Sequence, residues 1–159
     1  MTAPALDPPG SRTGPHIAEV RSGDRLIALI IPSGYREPGI HFFTPEAFSQ
    51  QLAYIRHPAG KLIDSHVHNS VVREVHNTLE VLVIKSGRIR IDLYDDARVY
   101  LESRVLVGGD VILLVSGGHG FEVIEEVEMI EVRQGPCVSD GADKTRFPPV
   151  PSDQLRVRS

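Results

Sequence analysis

Short apolar runs recur along the chain, and the clearest of them alternates with polar residues. Between residues 88 and 94, Ile89, Ile91 and Leu93 alternate with charged side chains. Because successive side chains of a strand point to opposite faces, this alternation predicts a strand with one buried face. Nine further runs also predict strands, at residues 17–20, 25–31, 52–57, 61–67, 80–85, 98–106, 111–115, 120–124 and 127–132.

Turn-forming residues separate these runs, as in chains of short antiparallel strands. Ser86 and Gly87 predict a turn between two strands, and residues 125–126 separate the last two runs. Thr44 followed by Pro45 and an acidic residue is typical of a helix start, so one short helix is expected there. No long helical crossover joins the strands, which argues against a parallel sheet. The pattern therefore predicts an all-β fold, an antiparallel sandwich or barrel.

Length and composition favour one soluble domain. The chain has 159 residues, which favours a single domain. Residues 1–15 are rich in proline and small polar residues and predict a flexible arm, residues 16–137 the barrel, and residues 138–159 an extended tail. The single cysteine, Cys137, excludes an internal disulfide and is interpreted as a structural thiol.

Charge and hydropathy exclude several classes of partner. The formal net charge is −4, and lysine and arginine form no dense cluster, so nucleic-acid binding is not expected. The apolar runs are too short to span a bilayer. The N-terminus lacks the basic region and apolar core of a signal peptide. These features predict a cytoplasmic protein that binds neither nucleic acid nor membrane.

Three histidines and one glutamate carry the chemistry that the sequence suggests. If residues 61–67 are extended, His66 and His68 lie on one face and form half of a metal site. A carboxylate and a third imidazole would complete it, and Glu80 and His119 are the candidates. Three imidazoles and one carboxylate suit a divalent ion and leave positions open for water or substrate.

The spacing of these residues resembles a known family. Gly60 lies six residues before His66-Val67-His68, and Glu80 lies seven residues before Gly87. Further on, the run Gly109-Asp110-Val111-Ile112-Leu113-Leu114-Val115 is followed by Ser116-Gly117-Gly118-His119. The chain is similar in this respect to the cupins, over roughly residues 50–135. Eleven residues separate His68 from Glu80, where three or four are usual in that family.

The resemblance implies a fold, a cofactor and an assembly. It implies a double-sheet jelly-roll barrel in which His66, His68, Glu80 and His119 hold one divalent metal ion inside. The metal is iron, manganese, nickel or zinc in this interpretation. It also implies a homodimer, and residues 17–31 are able to supply the strand that pairs the two copies.

A second register of the motif remains open. Glu74, His76 and Glu80 share one face if residues 74–80 are extended. In the preferred register, residues 69–79 form an insertion whose Arg73, Glu74 and His76 line the mouth of the site. Glu74 or His76 would then act as general base, and Arg73 would contact substrate. Tyr54 and Arg56, which alternate on the preceding strand, are further candidates for substrate binding.

Three functional hypotheses follow. The first is a metal-dependent enzyme acting on a small polar organic molecule, with a non-haem-type oxygenase preferred and an isomerase or epimerase of a keto or sugar-like substrate as the alternative. The second is a non-catalytic module that binds a metal or a small ligand. The third is a sugar-nucleotide-modifying cupin that uses histidine and tyrosine without metal.

Overall fold

The computed structural model describes residues 16–136 and 143–158, so the predicted arm at 1–15 and Cys137 lie outside the described residues. Within them the protein is nearly all β, with one short 3₁₀ helix at Ser152–Gln154. Among the described residues, no helix has the length and apolar character needed to cross a membrane. The nine strands are β1 Ala18–Ser22, β2 Arg25–Ile31, β3 Gly39–Phe42, β4 Ala53–Arg56, β5 Glu80–Tyr94, β6 Tyr100–Val107, β7 Val111–Leu114, β8 Gly118–Arg133 and β9 Val157–Arg158.

Seven of the strands form one curled sheet that resembles half of a barrel. Its order is β1-β2-β7-β5-β6-β9, and β8 pairs along β5. All pairs are antiparallel except β6 with β9. The main apolar core includes Ile27, Leu82, Ile91 and Ile112. Strands β3 and β4 pair separately as a two-stranded sheet.

The prediction of a turn at Ser86 and Gly87 is wrong, because β5 runs through both residues. The β5–β8 ladder changes register three times between Ile84 and Ile89, as expected at a bulge. The β5 side chains that enter the main core fall at even positions before the bulge, as Ile84 does, and at odd positions after it, as Ile89 does. The irregularity thus keeps the same face of the strand turned to the core. Residues 125–126 likewise lie inside β8 and do not separate two strands.

The long β5–β8 ladder curves so that its two ends lie close together. His119 of β8 pairs with Leu93, thirteen residues beyond Glu80. An extended strand would carry these positions about 43 Å apart. Yet the side chains of His119 and Glu80 approach to 3.3 Å. The early part of β5 pairs with β7 and the late part with β6, so its two ends meet at the open end of the half-barrel.

The prediction of a helix after Thr44 is also wrong, since the chain makes only a turn there. The side-chain amide of Gln51 donates to the carbonyl oxygens of Pro45 and Phe48, both at 2.9 Å. Thr44 Oγ1 donates to Gln51 Oε1 and accepts from the amide of Leu52. These bonds replace those of a helical turn. Strand β3, beside this turn, was not predicted.

The strand predicted at residues 61–67 is absent, because residues 61–78 carry no regular structure and are exposed. A strand needs a neighbour for its backbone hydrogen bonds. Both edges of β5 are already occupied over its first residues, by β7 on one side and β8 on the other. The segment that leads into β5 therefore has no free edge of β5 to join.

Candidate functional site

A cleft of about 670 Å³ opens where the two ends of the β5–β8 ladder meet. Its size suits a small organic molecule. Glu80 begins β5 and Tyr94 ends it, while His119 lies near the start of β8. The segment 143–149 and the turn at 95–98 supply further walls. The cleft is thus assembled from parts of the chain that are distant in sequence.

Glu80 and His119 form a carboxylate–imidazole pair in this cleft. Nε2 of His119 lies 3.3 Å from Oε2 of Glu80. The Glu80 side chain is 11% exposed and that of His119 30%, so the imidazole is the more accessible of the two groups. The sequence predicted these residues as partners in one site, and the structure brings them together.

Cationic groups surround the buried carboxylate. Arg133 Nη1 and Lys144 Nζ both lie 3.9 Å from Oε1 of Glu80. The hydrogen bond from His119, with the charges of His119, Lys144 and Arg133, lowers the pKa of Glu80 below its ordinary value, and burial opposes this shift. Glu80 is therefore an ionised hydrogen-bond acceptor at neutral pH.

His66 and His68 lie outside the cleft, in the exposed segment 61–78. Their rings are 5.2 Å apart in an edge-to-face arrangement, and His66 Nδ1 lies 3.0 Å from the carbonyl oxygen of Asp64. The structure brings these two histidines together but does not bring them to Glu80 and His119. Among the described residues, no group of three or more His, Cys, Asp or Glu side chains is arranged to hold a metal ion. As they stand, the four predicted ligands do not fit a single metal ion.

The residues of the second register lie nearer the cleft. His76 lines it together with Glu80 and His119. His76 Nε2 is 3.4 Å from Oε1 of Glu74, and both side chains are mostly exposed. Glu74 and His76 also line a neighbouring cavity of about 430 Å³ beside Phe48. His76 therefore connects the exposed segment to the two cavities.

The remaining predicted residues lie away from this site. The ring of Tyr54, in the small β3–β4 sheet, meets the Tyr35 ring in an edge-to-face arrangement, with 4.8 Å between ring centroids. Arg56 Nη1 donates to the carbonyl oxygen of Arg36. Arg73 is exposed and lines neither cavity. The structure brings none of the three to the Glu80–His119 pair.

Sequence reasoning missed the contribution of the C-terminal segment. Lys144 and Phe147 line the cleft, although residues 138–159 were interpreted as a tail. Tyr94 was missed as well, because the end of a strand has no distinctive motif. The one available signal was an aromatic residue among basic ones at 144–147 in an otherwise polar segment.

Comparisons with known proteins add no family assignment. No family model matches the chain, and no curated protein or solved structure shows a significant match. The residues of the cleft must therefore carry the functional argument by themselves.

The arrangement supports proton transfer by an oriented imidazole. Because His119 Nε2 faces Glu80, the carboxylate favours the tautomer that carries its proton on Nε2. The other ring nitrogen then has a free lone pair. A histidine oriented by a carboxylate at the wall of a cleft is a common arrangement for general acid–base chemistry.

Proposed function

We propose that the protein is an enzyme that moves a proton on a small polar molecule, as an isomerase or epimerase of a keto or sugar-like substrate does. One observation supports this most directly: the buried Glu80 carboxylate holds His119 at the wall of a cleft of small-molecule size. Glu80 would orient the imidazole and stabilise its protonated form. His119 would exchange a proton with a carbon next to a carbonyl group.

Hydrogen–deuterium exchange tests this proposal without knowledge of the product. The protein is incubated in D₂O with a panel of 2-keto acids and keto sugars, and proton NMR follows the signal next to each carbonyl. We expect catalysed exchange for at least one compound. His119→Gln and Glu80→Gln should each slow it about a hundredfold or more, while His57→Gln, outside both cavities, should not. Exchange that survives His119→Gln would refute the proposal.

A metal-dependent oxygenase is the second candidate. It is supported by the position of His76, which lines the same cleft as Glu80 and His119 and favours the second register of the motif. Imidazole and carboxylate groups suit Fe(II) and related ions, and a bound metal would supply Lewis-acid or redox chemistry. Glu80, His119 and His76 would have to move closer together to hold the ion, because no three such side chains of the described residues are arranged for it.

Elemental analysis separates the two registers. We propose to measure iron, manganese, nickel and zinc in protein purified without added metal, with oxygen uptake as a second readout. One equivalent of metal that is lost in His76→Ala but kept in His66→Ala would support the second register. The reverse result would support His66 and His68 as ligands. Metal content below a tenth of an equivalent in the folded protein would contradict both registers.

A cupin-type jelly roll and a homodimer remain parts of the proposal. The antiparallel strands and the pairing of Glu80 with His119 support the fold. Strand β1 lies at the edge of the large sheet, where a second copy has access to its backbone, and this supports the dimer. Light scattering at several concentrations tests the assembly, and a monomeric mass throughout would exclude the dimer. Binding without any exchange or oxygen uptake would favour the non-catalytic module.

A further inference from the structure

The C-terminal segment forms one wall of the cleft. The described part of this stretch begins at Asp143. Six residues of this stretch line the cleft: Asp143, Lys144, Thr145, Arg146, Phe147 and Pro149. Any molecule bound beside Glu80 and His119 would therefore meet side chains of the C-terminal segment.

The segment is anchored at its middle by aromatic packing. The Phe147 ring meets the Tyr94 ring edge-on at 5.0 Å, and the Arg98 guanidinium lies 5.7 Å above Phe147. A Cβ atom at Gly118 would come within 2.7 Å of the Phe147 ring, so the close approach requires glycine there. The amide of Val150 donates to the Tyr94 hydroxyl at 2.9 Å.

A second anchor lies near the end of the described chain. The amide of Arg156 donates to the Tyr100 hydroxyl at 2.8 Å, and its guanidinium donates to the Tyr100 carbonyl oxygen at 2.9 Å. Strand β9 then pairs with β6. The segment is therefore held at two places, both of them beyond Lys144 in the chain.

Lys144 lines the cleft, and its ammonium group has hydrogen-bond donors available for a ligand. Its ammonium group lies 3.9 Å from Glu80 Oε1, and its side chain is 51% exposed. That distance exceeds a hydrogen bond, so the Glu80 contact does not use the three donors of the ammonium group. Arg133 approaches the same oxygen but also lies 3.4 Å from Glu131.

The acidic residues at the other wall have partners of their own. Asp96 pairs with Arg25 at 2.6 Å. Asp95 accepts hydrogen bonds from the amides of Ala97 and Val99. These carboxylates are thus engaged within the protein, whereas Lys144 offers a positive group to the space beside Glu80.

We propose that Lys144 binds an anionic oxygen, from a carboxylate or a phosphate, of the molecule that occupies the cleft. The inference deepens the proposed function and rests on it only in placing a ligand in the same cleft. Lys144 would hold the ligand through a charge-assisted hydrogen bond, while Phe147 limits the width of the cleft. Lys144 would act in binding, whereas His119 would act on the reacting carbon.

Titration with simple anions tests the inference. Sodium phosphate and sodium malonate represent the two sources of anionic oxygen, and glucose is an uncharged control. Two-dimensional amide NMR follows the signals of residues 118–120 and 143–147 at constant ionic strength. We expect saturable shifts with at least one anion and none with glucose. Saturation by phosphate alone would identify a phosphate group, and saturation by malonate alone a carboxylate.

Variants assign the binding to Lys144. Lys144→Gln should weaken binding of the anion about tenfold or more. Lys61→Gln, which removes an exposed lysine outside the cleft, should leave it unchanged. Anion binding that is absent, or equal in wild type and Lys144→Gln, would overturn the inference. These outcomes are independent of the exchange assay: loss of proton exchange in His119→Gln with normal anion binding in Lys144→Gln would refute only the role of Lys144.

Discussion

Gly87 offers a direct test of how the long β5–β8 ladder positions the site. This residue lies in the middle of β5 with φ of 82°, a conformation that side chains disfavour. A Cβ atom added to it would lie 1.8 Å from the carbonyl oxygen of Glu126 on β8. The nearest atoms all belong to the backbone of Glu126 and Val127, so the clash is not relieved by rotation of a side chain. Gly87→Ala should therefore distort the bulge at which β5 bends over the core.

The expected cost has two parts. A left-handed conformation costs a non-glycine residue about 1–2 kcal/mol. To avoid the clash, β5 and β8 must separate near Glu126, and loss of one or two ladder hydrogen bonds adds about 1–2 kcal/mol. The total of about 2–4 kcal/mol is a large part of the stability of a typical domain, about 5–15 kcal/mol.

Urea denaturation followed by circular dichroism measures this loss. Gly120→Ala is a matched control, because its φ is not positive and an added Cβ meets nothing within 4 Å. The control should be as stable as wild type or more stable by up to about 1 kcal/mol. Gly87→Ala should also weaken the anion binding that depends on the folded cleft. Equal stability of Gly87→Ala and Gly120→Ala would refute the bulge at Gly87.

Two further predictions concern buried polar groups. The pKa of Glu80 is lowered below 4.5 in the folded protein, so its charge stabilises the fold above that pH and the contribution is lost on acidification. Glu80→Gln should lower the urea midpoint at neutral pH, and the difference from wild type should shrink in acid; a constant difference contradicts this. Ser103, fully buried, donates to Asp92 at 2.5 Å. Ser103→Ala should cost about 1–3 kcal/mol in urea denaturation, whereas exposed Ser70→Ala should cost less than about 0.5 kcal/mol.

Local periodicity was sufficient for much of the fold. Alternation at Ile89, Ile91 and Leu93 predicted a buried face, and all three side chains are buried. The errors came from residues whose role depends on distant partners. Gly87 is a bulge only because Glu126 lies across from it, and Gln51 ends the turn after Thr44 through its side chain. Neither effect has a periodic signal in the sequence.

For the site, the sequence predicted that Glu80 and His119 belong together. The structure brings them into contact where the two ends of the β5–β8 ladder meet. It placed His66 and His68 on a strand because alternation there is compatible with one. Alternation shows which residues would share a face, but it does not supply a sheet edge for the segment to join. The first residues of β5, which follow this segment, are already paired on both edges, and the two histidines lie in an exposed segment.

The position of Lys144 shows why the cleft is a property of the whole fold. Glu80 and His119 alone are a paired acid and base that satisfy each other. The C-terminal segment adds Lys144, a cation 3.9 Å from Glu80 Oε1 whose side chain is half exposed, and Tyr94 and Tyr100 bind this segment. An acid–base group acts on one ligand only if other side chains fix that ligand in place. The wall formed by the C-terminal segment therefore connects the chemistry of the pair to the choice of ligand.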